Sequence, residues 1–274
     1  MMLLDSDPTM NNVTIKNNST DGVGGGIFSN NSQSNSQYVI ITDNSAGLYG
    51  GGIYVFGGSN LSMTNLTLSM NQAVVVGGIA LDNSSLTLAN SVVWNNNATA
   101  PGQPDNLAGM GDVQLSITYS DIQGGFTGEG NINQNPNFTD PNNDDFSLQA
   151  GSPCIDAGTA DIDGDGENDL QFVGLAPDMG SFEYGAVYGC MDPSATNYDP
   201  GANMDDGSCE YPSGLHVSYS TGWNIVGLPV EVDDASYQSL FPNAQDGTLY
   251  SFNVIYQSVE TLEQGTGYLL RLTS

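Results

Sequence analysis

Apolar and polar residues alternate in short triplets that return about once every 26 residues in the first part of the chain. Each triplet has apolar residues at its first and third positions, and this period of two predicts a strand with one buried face. The apolar pairs, each about one repeat after the last, are Val13 and Ile15, Val39 and Ile41, Leu66 and Leu68, and Val92 and Trp94. A second series, Ile27, Ile53 and Ile79, follows short glycine runs at the same interval.

Strands this short cannot bury their apolar sides alone, whereas coils stacked one strand spacing apart can. The repeat therefore predicts an all-β fold, a right-handed parallel β-helix with three interior columns. The predicted columns are Val13, Val39, Leu66 and Val92; Ile15, Ile41, Leu68 and Trp94; and Ile27, Ile53 and Ile79. Glycine suits the corners between strands because it accepts positive φ without strain.

An asparagine follows every triplet at one predicted corner: Asn18, Asn44, Asn71 and Asn97. Asparagine tolerates the left-handed backbone region, and stacked amides can hydrogen-bond from coil to coil. One interpretation of this series is a structural amide ladder, and the other is surface turn chemistry without a ladder. Neither interpretation makes the series a binding site.

The net charge of the chain argues against some classes of binding partner. The chain of 274 residues has 31 acidic and two basic side chains, Lys16 and Arg271, and a formal net charge of −29. Nucleic acid and anionic membranes are not expected partners, because binding to either needs clustered Lys and Arg. An acidic protein remains soluble where salt screens its charges, and it attracts divalent cations, which favours a saline, extracellular setting.

The sequence shows neither a membrane-spanning segment nor a signal peptide. No apolar run is long enough to span a bilayer. The first residues lack the basic region and the apolar stretch of a signal peptide, while the repeat begins almost at once. We therefore expect the chain to be part of a longer protein.

The repeats resemble those of known bacterial proteins. NNSTDGVGGGIF (17–28) and DNSAGLYGGGIY (43–54) are similar to repeats of polymorphic outer-membrane-type and pectate-lyase-like β-helix proteins. SITYSDIQGG (116–125) and DDFSLQAGSPCIDAG (144–158) resemble the terminal coils of the same secreted family. The resemblance implies a β-helix over 1–185 and a secreted or cell-surface location. It implies no single activity, because this fold carries lyases, hydrolases and adhesins alike.

Residues 1–185 have few of the side chains that a carbohydrate-cleaving enzyme needs. A polysaccharide lyase needs a base and groups that neutralise the substrate carboxylate, but this region has no Arg, no His and a single Lys, Lys16. A hydrolase needs paired carboxylates, and Asp43 and Asp82 do not share a column position. Asp121 is the best lone candidate, although a structural turn aspartate is the favoured interpretation of it.

One acidic loop has calcium-ligand spacing. Asp161, Asp163 and Asp165 alternate before a glycine, as in the front half of a calcium loop, and Asp169 is a late candidate ligand. Position twelve of the loop is Phe172 instead of the usual Glu. The sequence leaves two interpretations, a weak Ca²⁺ site and a solvated acidic loop.

A separate unit follows the predicted β-helix. GCMDPSATNYDPGANMDDGSC (189–209) resembles the GCxDPxAxNYxPxAxxDDGSC repeats of secreted proteins from marine and related bacteria. The resemblance implies a disulfide between Cys190 and Cys209 in an acidic linker over 186–213. Zinc is the rival interpretation, but two cysteines without a nearby histidine offer too few ligands. Cys154, which lies among apolar residues, is expected to be a buried thiol.

Residues 214–274 predict a small β-rich module. The segments 222–231, 247–253 and 256–272 have strand and turn patterns, and they resemble β-sandwich-like modules near the C-termini of secreted bacterial proteins. Trp223, Tyr250, Tyr256 and Tyr268 are either sugar-stacking or core residues, and the core is the favoured interpretation in so small a domain.

Together these features predict a non-catalytic extracellular or cell-surface protein that acts in adhesion, in display or as a structural stalk. The alternative is a carbohydrate-binding or carbohydrate-hydrolysing β-helix. Ca²⁺ is the one expected cofactor, and a glycan or another cell-surface molecule is the expected partner.

Overall fold

The computed structural model describes residues 1–211, 219–228, 232, 234–253 and 255–273. The described chain divides into two compact units, Met1–Cys209 and Glu210–Ser274. Residues 186–209 of the predicted linker therefore lie in the first unit. Residues 229–231 of the predicted strand 222–231 lie outside the described residues.

The first unit is a parallel β-solenoid of about five turns. Its strands are β1 (Met2–Leu4), β2 (Thr9–Lys16), β3 (Ser19–Thr20), β4 (Ile27–Asn30), β5 (Gln33–Thr42), β6 (Ser45–Ala46), β7 (Ile53–Phe56), β8 (Asn60–Thr64), β9 (Thr67–Ser69), β10 (Gln72–Ala73), β11 (Ile79–Asp82), β12 (Ser85–Ala89), β13 (Val92–Trp94), β14 (Asn97–Ala98), β15 (Leu107–Met110), β16 (Gln114–Thr118) and β17 (Asp121–Ile122).

Three parallel sheets form the walls of the solenoid. One has the order β1-β4-β7-β11-β15, a second has β14-β10-β6-β3, and the third has β16-β12-β8-β5-β9-β13-β17 with β2 paired to β5. The long β2 and β5 each run through a corner that later coils break into two strands. Every neighbour along these walls is one coil away in sequence, as the repeat predicts.

The predicted stacking is confirmed in the first three coils. Val13 pairs with Val39, and Ile15 pairs with Ile41, which in turn pairs with Leu68. The glycine-led column is also correct, since Ile53 pairs with Ile27 and Ile79. Val39 and Leu66 belong to the same interior cluster.

The fourth coil departs from the prediction by one position. Val93, instead of Trp94, pairs with Leu68 and continues the column, and Val92 pairs with Thr67. This coil is shorter than the predicted repeat by a single residue, so its side chains are displaced by one position. Because side chains alternate between the faces of a strand, that single residue exchanges inside and outside.

The reversed strand is covered on its outer side. Val92 is fully buried among Leu148, Cys154 and Met179, a cluster separate from the solenoid interior. These three residues belong to the segment after the last coil, which folds back over the outer face of the wall. Val92 is therefore a core residue as expected, but its core is the cap and not the solenoid interior.

The cap and the acidic repeat complete the first unit. A small antiparallel pair, β18 (Phe138–Asp140) and β19 (Asp145–Leu148), flanks the 3₁₀ helix Pro141–Asn143, and the repeat holds the parallel pair β20 (Tyr188–Gly189) and β21 (Met204–Asp205). Polar contacts tie the cap to the wall: the Ser181 hydroxyl donates to the carbonyls of Val39 and Asn65, both at 2.9 Å.

The second unit is built on one four-stranded antiparallel sheet over its described residues. The strands are β22 (Gly222–Gly227), β23 (Tyr250–Asn253), β24 (Ile255–Ser258) and β25 (Gly267–Leu272), in the order β22-β25-β23-β24, with a short helix α1 (Tyr237–Leu240). One face of this sheet carries the core, which includes Val226, Tyr268 and Leu270 packed with Tyr237 and Leu249.

The favoured assignment of the aromatic residues to the core was wrong for two of the four. Tyr268 is buried, but the side chains of Trp223 and Tyr256 are 53% and 61% exposed, and Tyr250 is half-buried. The strand alternation explains the error. Trp223 is an odd number of positions from buried Val226 on the same strand and therefore points to the opposite face.

Candidate functional site

The asparagine series is a ladder that runs up the inside of one corner. Amide Nδ2 atoms donate to the Oδ1 atom of the next coil, from Asn18 to Asn44 at 2.9 Å and from Asn44 to Asn71 at 3.0 Å. The next step goes from Asn71 to Asn96 at 3.0 Å. Asn44, Asn71 and Asn96 are buried, so the ladder interpretation is correct and the surface-turn interpretation is wrong.

The fourth predicted member of the ladder, Asn97, was misplaced by one position. Asn97 is exposed and pairs with Gln72 at the edge of the corner. Asn96 takes the ladder position because the fourth coil is shorter by one residue. Its Nδ2 donates to Asn106 Oδ1 at 3.0 Å, which extends the ladder by one more amide. The same missing residue thus explains why Val93 replaces Trp94 in the interior column and why Asn96 replaces Asn97 in the ladder.

Three of the four proposed calcium ligands converge. One carboxylate oxygen from each of Asp161, Asp163 and Asp169 lies within 4.8 Å of the others. Asp165 is outside this cluster, and its Oδ1 accepts the Glu167 backbone N–H at 2.9 Å. Backbone N–H groups hold the converging carboxylates in place: Asp161 accepts from Gly164 at 2.7 Å.

The predicted disulfide is present. Cys190 and Cys209 are bonded across 19 residues, with their Cα atoms 4.7 Å apart. The bond closes the acidic repeat, whose β20 also approaches the cap, where the Glu183 backbone N–H donates to the Tyr188 hydroxyl at 3.3 Å. A closed loop of this size contributes about 3 kcal/mol by restricting the unfolded chain.

Asp121 is enclosed by structural partners. It is fully buried, accepts the Gln134 backbone N–H at 3.1 Å and lies 3.5 Å from the Sγ of Cys154. Burial raises the pKa of Asp121 to about 6, although both hydrogen bonds partly oppose that rise. Burial, with help from the Asp121 carboxylate, also raises the pKa of the Cys154 thiol, so Cys154 is the buried, protonated thiol that the sequence predicts.

The raised pKa of Asp121 makes the stability of the first unit depend on pH. Well below the ordinary pKa of 3.8 this carboxyl is neutral in the folded and the unfolded chain, but above pH 6 the folded chain holds a buried charge. We expect the free energy of unfolding to fall by about 2 kcal/mol from this group between pH 4 and pH 7. Urea unfolding of the wild type and Asp121→Asn across this range measures the difference.

The control for this prediction is Asp112→Asn, which removes an exposed carboxylate from the same unit. The general effect of lowering a large negative charge is common to all three proteins and cancels in the comparison. A pH profile of Asp121→Asn that matches the wild type would show that Asp121 is not the group responsible.

A cleft of about 650 Å³ lies where the first coils, the cap and the acidic repeat meet. The coils contribute Asn11, Asn12, Gln37 and Tyr38, the cap contributes Asp169–Gln171 and Ser181–Glu183, and the repeat contributes Tyr188 and Met204–Gly207. The lining therefore combines amides, tyrosines and carboxylates, and among the described residues that form it there is neither Lys nor Arg. The sequence does not predict this cleft, because its lining residues come from opposite ends of the first unit's sequence.

Glu183 is the most perturbed acid of the cleft. It is 7% exposed, and burial, reinforced by the charge of Asp178, raises its pKa to about 7 against the opposing effect of backbone hydrogen bonds. Asp178 N–H donates to Glu183 Oε1 at 2.9 Å. Burial and the Glu183 charge raise the pKa of Tyr38 to about 12, so the Tyr38 hydroxyl is protonated at neutral pH and can donate a hydrogen bond.

The backbone of Tyr38 is strained. Its φ of 53° places it in the left-handed region, at a corner where neighbouring coils use Asn12 and Asn65 with φ of 54° each. An aromatic residue accepts this conformation less readily than Asn does. A tyrosine in an asparagine series is the one signal in the sequence that could have drawn attention to this cleft.

The described chain is thus a protein of the parallel β-solenoid class that carries an acidic loop and a mixed polar cleft. No family model, curated protein or solved structure gives a significant match to it. Among the described residues, no helix combines the length and the hydropathy needed to cross a bilayer.

Proposed function

We propose that this is a non-catalytic extracellular or cell-surface protein whose solenoid acts as a stalk in adhesion or display. The observation that carries the proposal is the enclosure of Asp121. The acid that was the best hydrolase candidate is held between Gln134 and the Cys154 thiol, away from any surface a substrate could reach. The amides of the ladder are likewise committed to one another, which suits a structural column.

The disulfide and the sequence resemblance support an extracellular location. Disulfides persist in oxidising compartments and are rare in reducing ones, and Cys190–Cys209 closes a repeat similar to those of secreted bacterial proteins. The solenoid is consistent with kinship to polymorphic outer-membrane-type and pectate-lyase-like proteins, whose members include surface passengers.

An assay of reducing-sugar release from a panel of polysaccharides tests the absence of catalysis. We expect no release by the wild type above that of a heat-denatured sample. Release by the wild type that disappears in Asp121→Asn but persists in Asp112→Asn would overturn the proposal. It would instead make the protein a hydrolase with Asp121 in its catalytic centre.

Carbohydrate binding is the second candidate, and the cleft favours it. Tyrosines together with side-chain amides are groups that can stack on sugar rings and hydrogen-bond to their hydroxyls. Glycan-array binding by the wild type that is lost in Tyr188→Ala would support this use. Tyr184→Ala is a matched control, since both tyrosines are 43% exposed but only Tyr188 lines the cleft.

We also propose that the acidic loop holds Ca²⁺ through Asp161, Asp163 and Asp169. Convergence of three carboxylates suits a hard cation with oxygen ligands. Ca²⁺ bound to the folded chain alone raises its stability by mass action. We expect millimolar Ca²⁺ to raise the Tm of the wild type by a few degrees, as followed by circular dichroism.

The variants locate the calcium effect. Asp163→Ala should abolish the shift in Tm, whereas Asp165→Asn should retain it, because Asp165 lies outside the cluster. No shift in the wild type, or a shift that survives in Asp163→Ala, would reject this site. Loss of the shift in both variants would show that the ligand set is the four-residue one predicted from the sequence.

A further inference from the structure

The second unit exposes one face of its sheet as an apolar surface. This aromatic face consists of Trp223, Ile225, Tyr250, Phe252, Tyr256, Leu269 and Arg271, which share one side of the four strands by register. Ile225 is 82% exposed and Phe252 is 64% exposed. Monomeric proteins seldom leave so many large apolar side chains together in water without a binding purpose.

The rings on this face form two neighbouring pairs. The ring centroids of Trp223 and Tyr250 are 6.0 Å apart, and those of Phe252 and Tyr256 are 5.1 Å apart. These separations are comparable to the length of one pyranose residue in a polysaccharide. The four strands span about 14 Å at ordinary strand spacing, so the face has room for a short run of sugar rings stacked on aromatic side chains.

The charge of the aromatic face differs from that of the chain as a whole. The chain has 31 acidic residues, yet β22, β23, β24 and β25 contain no Asp or Glu. Arg271 is exposed on this face and is the cross-strand partner of Trp223. One of the two strongly basic side chains of the protein is therefore placed directly beside an exposed aromatic ring, that of Trp223.

Among the described residues, Arg271 has no counter-ion. No carboxylate in that part of the chain lies within ion-pair distance of its guanidinium, whereas Lys16 in the first unit pairs with Asp144 at 2.8 Å. Because no described carboxylate neutralises it, the Arg271 guanidinium is complementary to an anionic group, with which it can make charge-assisted hydrogen bonds, such as a carboxylate or a sulfate.

We propose that the aromatic face of the second unit binds an anionic polysaccharide, with sugar rings stacked on Trp223 and Tyr250 and an acidic substituent bound by Arg271. The site is independent of the cleft in the first unit and is not required for the stalk role. It gives the protein a defined class of partner, an acidic glycan of a cell surface or extracellular matrix.

Isothermal titration calorimetry on the full chain tests this proposal with four probes. Alginate supplies carboxylates, carrageenan supplies sulfate esters, laminarin is a neutral glycan, and poly-glutamate is an acidic chain without sugar rings. We expect alginate or carrageenan to bind. The stronger of the two identifies the acidic group, and we expect laminarin and poly-glutamate to bind at least about tenfold more weakly.

Three variants identify the surface responsible. Trp223→Ala and Arg271→Gln should each weaken binding of the acidic glycan about tenfold or more, the loss expected when a stacked ring or a charge-assisted hydrogen bond is removed. Lys16→Gln is the matched control, since it removes the other long basic side chain and should leave binding unchanged. Circular dichroism of each variant establishes that the second unit remains folded.

Several outcomes would overturn the proposal. Absence of binding to both acidic glycans, tightest binding to laminarin, or tightest binding to poly-glutamate would each do so. Binding that survives in Trp223→Ala and Arg271→Gln but disappears in Tyr188→Ala would assign the glycan to the cleft instead. A concentration-dependent dimer in analytical ultracentrifugation that is abolished by Trp223→Ala would make the face a contact between two copies.

Discussion

Replacing Asn71 with alanine is expected to destabilise the solenoid by about 3–5 kcal/mol. Its amide is fully buried. It donates to the carbonyls of Ile41 and Ser69 and to Asn96 Oδ1, and it accepts from the backbone N–H and the side chain of Asn44. Alanine removes all of these bonds at once and leaves buried carbonyl and N–H groups without partners, each at the full cost of desolvation.

Asn97→Ala is the control for this variant. Asn97 was the ladder residue predicted by spacing, but it is exposed at the corner, so its loss should change the free energy of unfolding by less than about 0.5 kcal/mol. Urea unfolding followed by circular dichroism measures both variants. Equal destabilisation by the two, or a larger effect from Asn97→Ala, would contradict the register described for the fourth coil.

A methyl group added at Gly51 is expected to destabilise the solenoid by about 3 kcal/mol. A Cβ built on this residue would come within 2.5 Å of the Gly77 carbonyl oxygen, which belongs to the next coil. The obstacles are backbone carbonyls of the next coil, those of Gln72 in β10 and of Gly77, and they can recede only if hydrogen bonds between the two coils lengthen. Glycine is required here by close approach between coils, because the φ of Gly51 is not in the left-handed region.

Gly22→Ala separates this steric effect from the general effect of replacing glycine. At Gly22 the nearest atom to a built Cβ is the Thr20 hydroxyl oxygen at 3.7 Å, an ordinary contact. We expect this variant to lie within about 1 kcal/mol of the wild type. If Gly51→Ala unfolds at the same urea concentration as Gly22→Ala, the coils have room to separate, and the close packing at this corner is not a source of specificity.

The calcium loop and the cleft differ in how far their residues can be predicted from the sequence. The calcium loop is local, with all its acids in one short stretch. Asp161, Asp163 and the late candidate Asp169 converge, whereas Asp165, which the alternating spacing included, does not. The cleft is the opposite case, because its lining residues come from the first coils, the cap and the acidic repeat, which are far apart in the sequence. Glu183 has nothing in its immediate sequence to mark it as a buried acid. Its perturbed pKa arises from burial in the cap and from the proximity of Asp178.

The aromatic module illustrates an ambiguity that no local pattern resolves. Alternation in β22 and β25 predicts two faces, but it does not say which face is covered. Composition favoured the core for Trp223 and Tyr256, yet the buried face belongs to Val226, Tyr268 and Leu270, which pack with Tyr237. The side that α1 and the loops cover is a property of the folded module, and it left the aromatic face in solvent.

The repeating unit of this protein can be predicted from local sequence alone: a regular coil period, apolar positions that stack, and glycine and asparagine at recurring corners. These follow because each coil must satisfy its backbone and bury its apolar face against an almost identical neighbour. The effect of the missing residue in the fourth coil depends instead on long-range packing, which places Val93 inside the solenoid and Val92 beneath the cap. Both valines are apolar, so the pattern is the same whichever one points inward, and the segment that covers the outer face made the choice.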